Sequence, residues 1–172
     1  MVFYIGNCRL KLEYSFFLII AFSLMLDTKD ILFVLLFASL HELGHIATLY
    51  AFGYVPDRVV LSFYGIAMRH SAELSRKKEA LFLISGAAVN ILFALLNIKR
   101  EINFSLAVLN LIPAYPLDGG RILNMFISAK AMKVITVVSL AVLFSTAVLS
   151  MNFTLLLISV YLLIFSYFEG IY

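Results

Sequence analysis

The sequence predicts an all-α polytopic membrane protein, with six transmembrane helices and a short membrane-associated β-hairpin after the second helix. Two observations support this fold class. Hydrophobic residues make up 63% of the 172 residues and charged residues only 13%, an apolar content beyond what a soluble domain of this size needs. The apolar residues also fall into stretches separated by polar segments, as in a chain that crosses a bilayer repeatedly. We expect residues 1–172 to form a single transmembrane domain.

Two apolar stretches open the chain. Tyr14–Leu26 follows a charged start, as in a signal peptide, but polar residues 27–30 stand where a cleavage site needs small ones, so we expect a retained first helix. The second helix, Ile31–Gly53, has about 23 residues and a length of about 34 Å, enough to cross a bilayer. Gly53 and Pro56 mark its end.

The longest polar connection, residues 54–80, contains a strand pattern. Val59–Met68 is rich in β-forming residues, and Tyr64-Gly65 suits a tight turn, so this segment is predicted to form a hairpin. Its alternation is imperfect. The alternative is an interfacial loop that dips apolar side chains into the lipid headgroups.

The third and fourth spans differ in regularity. Leu81–Ile98 is predicted to be a continuous helix, in which Gly86, Ala87 and Ala88 would let another helix approach closely. Ile102–Ile112 begins a fourth span that cannot continue as a regular helix, because Pro113 and Pro116 each remove an amide donor.

The last part of the chain is predicted to pack rather than to react. An amphipathic connection runs from Arg121 to Lys133. Val134–Leu149 and Phe153–Phe168 then form a helical hairpin without internal charges.

The formal net charge is +3, and the distribution of the Lys and Arg residues along the chain indicates the membrane topology. Residues 1–13, 54–80 and 117–133 hold ten of the thirteen Lys and Arg residues, so the positive-inside rule places both termini in the cytoplasm. No basic surface interleaved with aromatic residues indicates nucleic-acid binding. Cys8 is the single cysteine and can form no intrachain disulfide.

The second helix carries the strongest chemical signal, the sequence His41-Glu42-Leu43-Gly44-His45. Positions i and i+4 of a helix share one face, so the two imidazoles can both bind one Zn²⁺, and Glu42 beside them can act as a general base. In a soluble protein such a motif can arise by chance. Near the middle of a span, however, ionisable groups are costly and are usually functional.

Two further polar residues are predicted at membrane depth. Asn90 must find a partner there, either a neighbouring helix or a substrate backbone. Asp118 follows the proline break, next to Gly119 and Gly120. A broken helix at this depth is tolerated where it faces protein or a wet cavity, and a metal centre that needs one more oxygen ligand is such a place. His70 has no partner at ligand spacing and is left out of the site.

These motifs resemble those of the site-2 proteases. The resemblance rests on His41–His45, on the Gly86 to Asn90 segment and on residues 110–120, Asn-Leu-Ile-Pro-Ala-Tyr-Pro-Leu-Asp-Gly-Gly. The motifs lie in the family order, and the resemblance spans at least residues 31–121. Where the family often has Pro after Gly86, this chain has Ala87.

The resemblance implies an intramembrane zinc metalloprotease. One Zn²⁺ per chain would be held by His41, His45 and Asp118, with Glu42 as the general base. Asn90 and Asn110 are the candidates for binding substrate or the oxyanion; Asn110 is the weaker of the two and could instead brace the broken helix. Arg121 could pair with Asp118 or direct its charge to the interface.

The predicted six spans and cytoplasmic N-terminus resemble those of the site-2 protease branch that contains stage IV sporulation protein FB. This branch implies cleavage of a sporulation pro-sigma factor and the membrane around the forespore as the location. The family as a whole implies small inhibitory membrane proteins as partners. Its better-known members carry a C-terminal CBS domain, and we expect none here. The alternatives are a site-2 protease with another substrate, such as an anti-sigma factor, a zinc transporter, and a catalytically silent membrane scaffold.

Overall fold

The computed structural model describes residues 1–6, 8–25, 29–62 and 65–168. It forms two compact units, Met1–Val108 and Leu109–Tyr172, which are taken in turn. The elements in chain order are strands β1 (Val2–Ile5) and β2 (Cys8–Leu12), helices α1 (Tyr14–Met25) and α2 (Lys29–Ala51), strands β3 (Arg58–Ser62) and β4 (Gly65–Arg69), and helices α3 (Arg76–Leu95), α4 (Arg100–Leu111), α5 (Asp118–Asn124), α6 (Ala129–Leu149) and α7 (Phe153–Phe168).

The first unit contains a four-stranded sheet in the order β1-β2-β3-β4. The predicted hairpin is present, since β3 and β4 pair antiparallel from Arg58 opposite Arg69 to Ser62 opposite Gly65. Of the predicted turn residues, Tyr64 lies outside the described part of the chain. The interfacial-loop alternative is therefore wrong.

The prediction of an all-α protein with one hairpin missed half of this sheet. Strand β1 pairs antiparallel with β2, and β2 pairs parallel with β3, with Arg9 opposite Arg58 and Leu12 opposite Leu61. Residues 8–12 do alternate between apolar and basic residues. Local sequence predicts only a charged start before the first membrane helix here, because the strand that pairs with residues 8–12 lies far along the chain.

The helices of the first unit follow the predicted apolar stretches, with shifted ends. Helix α2 is displaced two residues toward the N-terminus from the predicted Ile31–Gly53. Helix α3 begins at Arg76 rather than at Leu81, because the charged residues 76–79 form its first turn. Glu79 lies in that turn, where the helix dipole favours a negative charge.

Helices α2 and α3 pack along each other at two glycines. A Cβ atom at Gly44 would lie 2.8 Å from Val89 Cγ2 and 2.9 Å from the Ser85 carbonyl oxygen, and 3.3 Å from the Cα of Gly86. A side chain at position 44 would therefore overlap α3, and its backbone contacts there include Gly86. The prediction that Gly86 permits a close helix approach is confirmed, and the partner is the helix that carries the histidines.

The second unit is built on the α6–α7 hairpin, as predicted. Its core consists of Ala114, Leu140 and Leu162. Asn152 begins α7 by accepting a hydrogen bond from the Leu155 amide at 3.0 Å, which satisfies a free donor at the helix start. The predicted connection from Arg121 to Lys133 is instead the end of α5 and the first turn of α6.

Three helices in the described residues are long and apolar enough to cross a membrane: Asp30–Ala51, Arg76–Leu95 and Ala129–Leu149. Tyr14–Met25 and Leu155–Ser166 are shorter apolar helices. Helix α4, with 12 residues, extends about 18 Å, well short of the hydrocarbon core of about 30 Å. The six predicted spans therefore stay a prediction.

Candidate metal centre

His41 and His45 form a closely matched pair on one face of α2. Both side chains are buried, at 4% and 3% exposure. Their Nε2 atoms lie 3.1 Å apart, and their ring planes are nearly perpendicular, at 84°. The predicted i, i+4 arrangement is therefore present, with one nitrogen of each ring directed at the same point.

The other nitrogen of His45 is held by the backbone of α3. His45 Nδ1 donates to the Phe82 carbonyl oxygen at 2.6 Å. A carbonyl oxygen can only accept, so the proton of neutral His45 must be on Nδ1. The Ser85 hydroxyl donates to the same carbonyl at 2.6 Å and lies 3.3 Å from Nδ1.

The other nitrogen of His41 is held by a side chain of α3. His41 Nδ1 lies 2.8 Å from Asn90 Oδ1. The Asn90 amide nitrogen donates to the Phe37 carbonyl oxygen at 3.3 Å, which fixes the orientation of the amide and leaves its oxygen facing His41. His41 must therefore donate from Nδ1 as well.

These two tautomers leave the Nε2 atoms of His41 and His45 able to bind a metal ion. With both protons on Nδ1, the two Nε2 lone pairs face each other across 3.1 Å, an arrangement that a cation between them stabilises. Two Zn–N bonds of about 2.0–2.1 Å at a tetrahedral angle would separate the nitrogens by about 3.3 Å. Outer hydrogen bonds to oxygen atoms are also the usual support for metal-binding histidines. The residues present fit a zinc ion.

Glu42 belongs to the same group. Ligand atoms of His41, Glu42 and His45 all lie within 4.8 Å of one another. Glu42 is partly exposed, unlike the two histidines. A carboxylate at this distance can accept a proton from a water molecule between it and the ligands.

Gly86 leaves room for the two imidazoles. A Cβ atom at this position would lie 2.5 Å from His45 Nε2 and 2.6 Å from His41 Nε2. No side chain fits there without displacing the rings. The backbone of α3 thus forms one wall of the metal centre.

Asp118 and Asn110 belong to the second unit. Asp118 is the first residue of α5 and is 7% exposed, and Asn110 lies in the last turn of α4. Their predicted roles, as zinc ligand and as substrate or oxyanion group, stay predictions. Gly119 and Gly120 are helical, and each packs so closely on a preceding carbonyl, of Leu111 and Ala114 respectively, that a Cβ atom would overlap it. The two glycines thus leave space for these carbonyls.

For Asn90, the structure shows the alternative in which it bonds a neighbouring helix. Its side chain is fully buried, and both amide hydrogens are donated within the protein, to Phe37 and to Asn103 Oδ1 at 3.0 Å. The predicted oxyanion role of Asn90 would compete with these bonds. It stays a prediction without geometric support.

Sequence reasoning missed Asn103 and the Phe82 carbonyl. A backbone acceptor leaves no trace in the sequence. Asn103 did have one signal, because it is a second amide side chain in an apolar stretch shortly after Asn90. His70 was left out, and it is not part of the metal-binding group of the described residues. Its ring contacts Phe82, at 4.9 Å between centroids.

Comparison with known proteins points to one family. The model of Peptidase family M50 matches residues 86–153. A zinc metalloprotease from Methanocaldococcus jannaschii is 30% identical, over 71% of this chain and 43% of the relative. A solved structure described as a site-2 protease from the same organism is 27% identical and aligns with a TM-score of 0.62, covering 94% of this chain and 91% of that one.

The chain spans less than half the length of the curated relative that it matches. Together with the three candidate spans, the family match indicates a membrane protein.

We predict that Gly86→Ala weakens zinc binding. The added methyl group must push apart the rings or the two helices, and overpacking of this kind costs about 1–3 kcal/mol, equivalent to about 5- to 150-fold in affinity. Zinc affinity would be measured on purified protein by competition with a chelator. Ala88→Val, at an exposed position of the same helix, is the matched control and should bind zinc normally. Normal binding by Gly86→Ala would show that the wall is not rigid.

Proposed function

Because the family match, the curated relative and the solved structure all support Peptidase family M50 and its site-2 proteases for this chain, we propose that it is an intramembrane zinc metalloprotease. It would hydrolyse peptide bonds in membrane-associated protein substrates. One observation carries the proposal: two buried imidazoles on a membrane-length helix direct unprotonated Nε2 atoms at one point, with a carboxylate beside them.

His41 and His45 would hold one Zn²⁺ per chain, with Asp118 as the third ligand. The assignment of Asp118 rests on its place in the Leu-Asp-Gly-Gly sequence and on the chemistry of a carboxylate. Three protein ligands leave one position open, as catalytic sites require. A bound zinc ion supplies Lewis acidity toward the scissile carbonyl and lowers the pKa of water to about 7.

Glu42 would carry the proton transfers. It takes a proton from the attacking water and then passes it to the nitrogen of the departing amine. Asn110 is the better of the two candidates for an oxyanion donor, because the Asn90 amide hydrogens are already donated within the protein. Each step needs the substrate carbonyl close to both His-Nε2 atoms and Glu42.

Strand β4 offers a way to present the substrate. A helical substrate hides its peptide bonds, so the segment to be cut must be extended. In the described residues β3 is paired on both sides, whereas β4 has one unpaired edge, and β4 packs against α2, which carries the histidines. An extended segment could pair with that edge by strand addition.

The specific substrate is a further proposal. The sporulation branch suggests a pro-sigma factor, regulation by small inhibitory membrane proteins and a location in the membrane around the forespore. An anti-sigma factor is the alternative substrate. With the cation-rich segments in the cytoplasm, both termini would be cytoplasmic. A zinc transporter would not need Glu42, and a silent scaffold would not need the paired histidines.

We expect Glu42→Gln to reduce cleavage by about 10²–10⁴-fold, the usual contribution of a general base, while zinc content stays near one per chain. The measurement is cleavage of a candidate pro-sigma factor in detergent or membranes, with metal content determined in parallel. Glu73→Gln, at an exposed acidic residue, is the control. Cleavage by Glu42→Gln at the wild-type rate would exclude the proposed base.

Asp118→Asn tests the third ligand. Zinc affinity should fall by more than the 10- to 100-fold that follows loss of an outer hydrogen bond, because a neutral amide is a much weaker ligand than a carboxylate. Chelator competition measures the change. Asp57→Asn, at an exposed carboxylate, should bind zinc as the wild type does. Undiminished affinity in Asp118→Asn would assign the third ligand elsewhere.

Proline substitutions test the strand edge. Alternate residues of an edge strand direct their N–H groups outward, so among Ile66→Pro, Ala67→Pro and Met68→Pro at least one removes an outward donor and leaves the pairing with β3 intact. That variant should remain folded and lose cleavage at least about tenfold. Tyr4→Pro, in the opposite edge strand β1, is the control. If all three variants cleave normally, the substrate binds elsewhere.

A further inference from the structure

We propose that Asn103 is a positioning residue for the metal centre, acting through Asn90 to hold His41 with its Nε2 atom directed at the metal. The inference rests on the proposed zinc site. It assigns a role to a residue outside the motifs that identify the site.

Asn103 lies in the first turns of α4 and is fully buried. Its amide nitrogen donates to the carbonyl oxygen of Ile98 at 2.9 Å and approaches that of Lys99 at 3.4 Å. Both belong to the turn between α3 and α4. Since carbonyl oxygens only accept, this end of the side chain must be the nitrogen, and the Asn103 oxygen therefore faces Asn90.

The direction of the hydrogen bonds is also fixed between Asn103 and the metal ligand His41. Asn103 Oδ1 accepts from Asn90 Nδ2 at 3.0 Å. The Asn90 oxygen then accepts from His41 Nδ1 at 2.8 Å. Each group can take only one orientation once its neighbour is fixed. Together with the Phe37 carbonyl, which accepts from the same Asn90 amide, the carbonyls of the α3–α4 turn thus set the tautomer of His41 and leave Nε2 free to bind a metal.

We call the chain of hydrogen bonds from the α3–α4 turn through Asn103 and Asn90 to His41 the relay. Because its members are buried, breaking one of its hydrogen bonds is costly. Asn90, Asn103 and His41 are buried, and an unmatched polar group in such a place costs about 1–3 kcal/mol. A flipped amide would bring two acceptors or two donors together at every junction. The competing tautomer of His41, with the proton on Nε2, is therefore disfavoured before any metal binds.

The far end of the relay is anchored on α2. The Lys99 ammonium lies 4.0 Å from the centroid of the Phe33 ring and 3.5 Å from Asp30 Oδ1. Lys99 adopts a positive φ angle of 43°, which few residues other than glycine and asparagine hold, and Asn97 has a φ of 61°, which asparagine adopts readily after a helix end. The turn that orients Asn103 thus contacts the same helix that carries His41.

The test compares Asn103→Leu with Asn103→Asp in the full chain in detergent. Leu removes the acceptor for Asn90. Asp has the same shape and, in its neutral form, which burial favours, keeps both that acceptor and an O–H donor for the Ile98 carbonyl. Zinc affinity is measured by chelator competition, and the visible spectrum of the cobalt-substituted protein reports ligand geometry. Asn152→Ala, which removes a helix cap in the second unit, controls for loss of stability alone.

We expect Asn103→Leu to bind zinc about 10-fold more weakly, at the low end of the 10- to 100-fold effect of an outer-shell loss, with a changed cobalt spectrum. Asn103→Asp should stay within about threefold of wild type, and Asn152→Ala should melt at a lower temperature with normal affinity. If Asn103→Leu does not fold, Asn103→Ala, which leaves room for water, gives the same comparison.

Two results overturn the relay. In the first, Asn103→Leu lowers the melting temperature but leaves zinc affinity and the cobalt spectrum unchanged, so Asn103 only braces the turn. In the second, Asn103→Asp loses as much affinity as Asn103→Leu. If instead the wild type binds no zinc, or His41→Ala binds it equally well, the proposed function fails and the relay fails with it.

Discussion

The metal centre depends on the close approach of α2 and α3 at Gly44 and Gly86. With no side chain at either position, the helices come near enough for the Phe82 carbonyl and the Asn90 amide to reach the outer nitrogens of the two histidines. A methyl group at Gly86 would occupy the space of the imidazoles themselves. The same two glycines thus set both the distance between α2 and α3 and the space in which the imidazoles lie.

The outer nitrogen of each histidine has a partner suited to an apolar setting. His45 uses a backbone carbonyl, and His41 uses an amide whose orientation is fixed by further carbonyls. This arrangement meets the requirement that buried polar groups be hydrogen-bonded. It also prepares both Nε2 atoms for a cation, so the same bonds that make burial possible prepare the metal ligands.

The sheet and the site differ in how far sequence could predict them. The β3–β4 hairpin was predictable because its strands are joined by a short turn. The pairing of β2 with β3 was not, since residues 8–12 and 58–62 are separated by two helices and only tertiary structure brings them together. The predicted start of α3, at Leu81, lies after the observed start at Arg76. Its charged first turn is polar in sequence but helical in structure.

The sequence by itself determined the positions of His41, Glu42 and His45, because the spacing of a helix is local and an apolar stretch of membrane length makes ionisable groups conspicuous. It also determined the apolar helices and the need for glycine at a helix contact. Only the tertiary structure decided that the Nε2 atoms of the two histidines face each other, and that Asn90 is hydrogen-bonded to Asn103. Hydrogen-bond direction is set by the neighbour across a helix interface, and no local pattern records that neighbour.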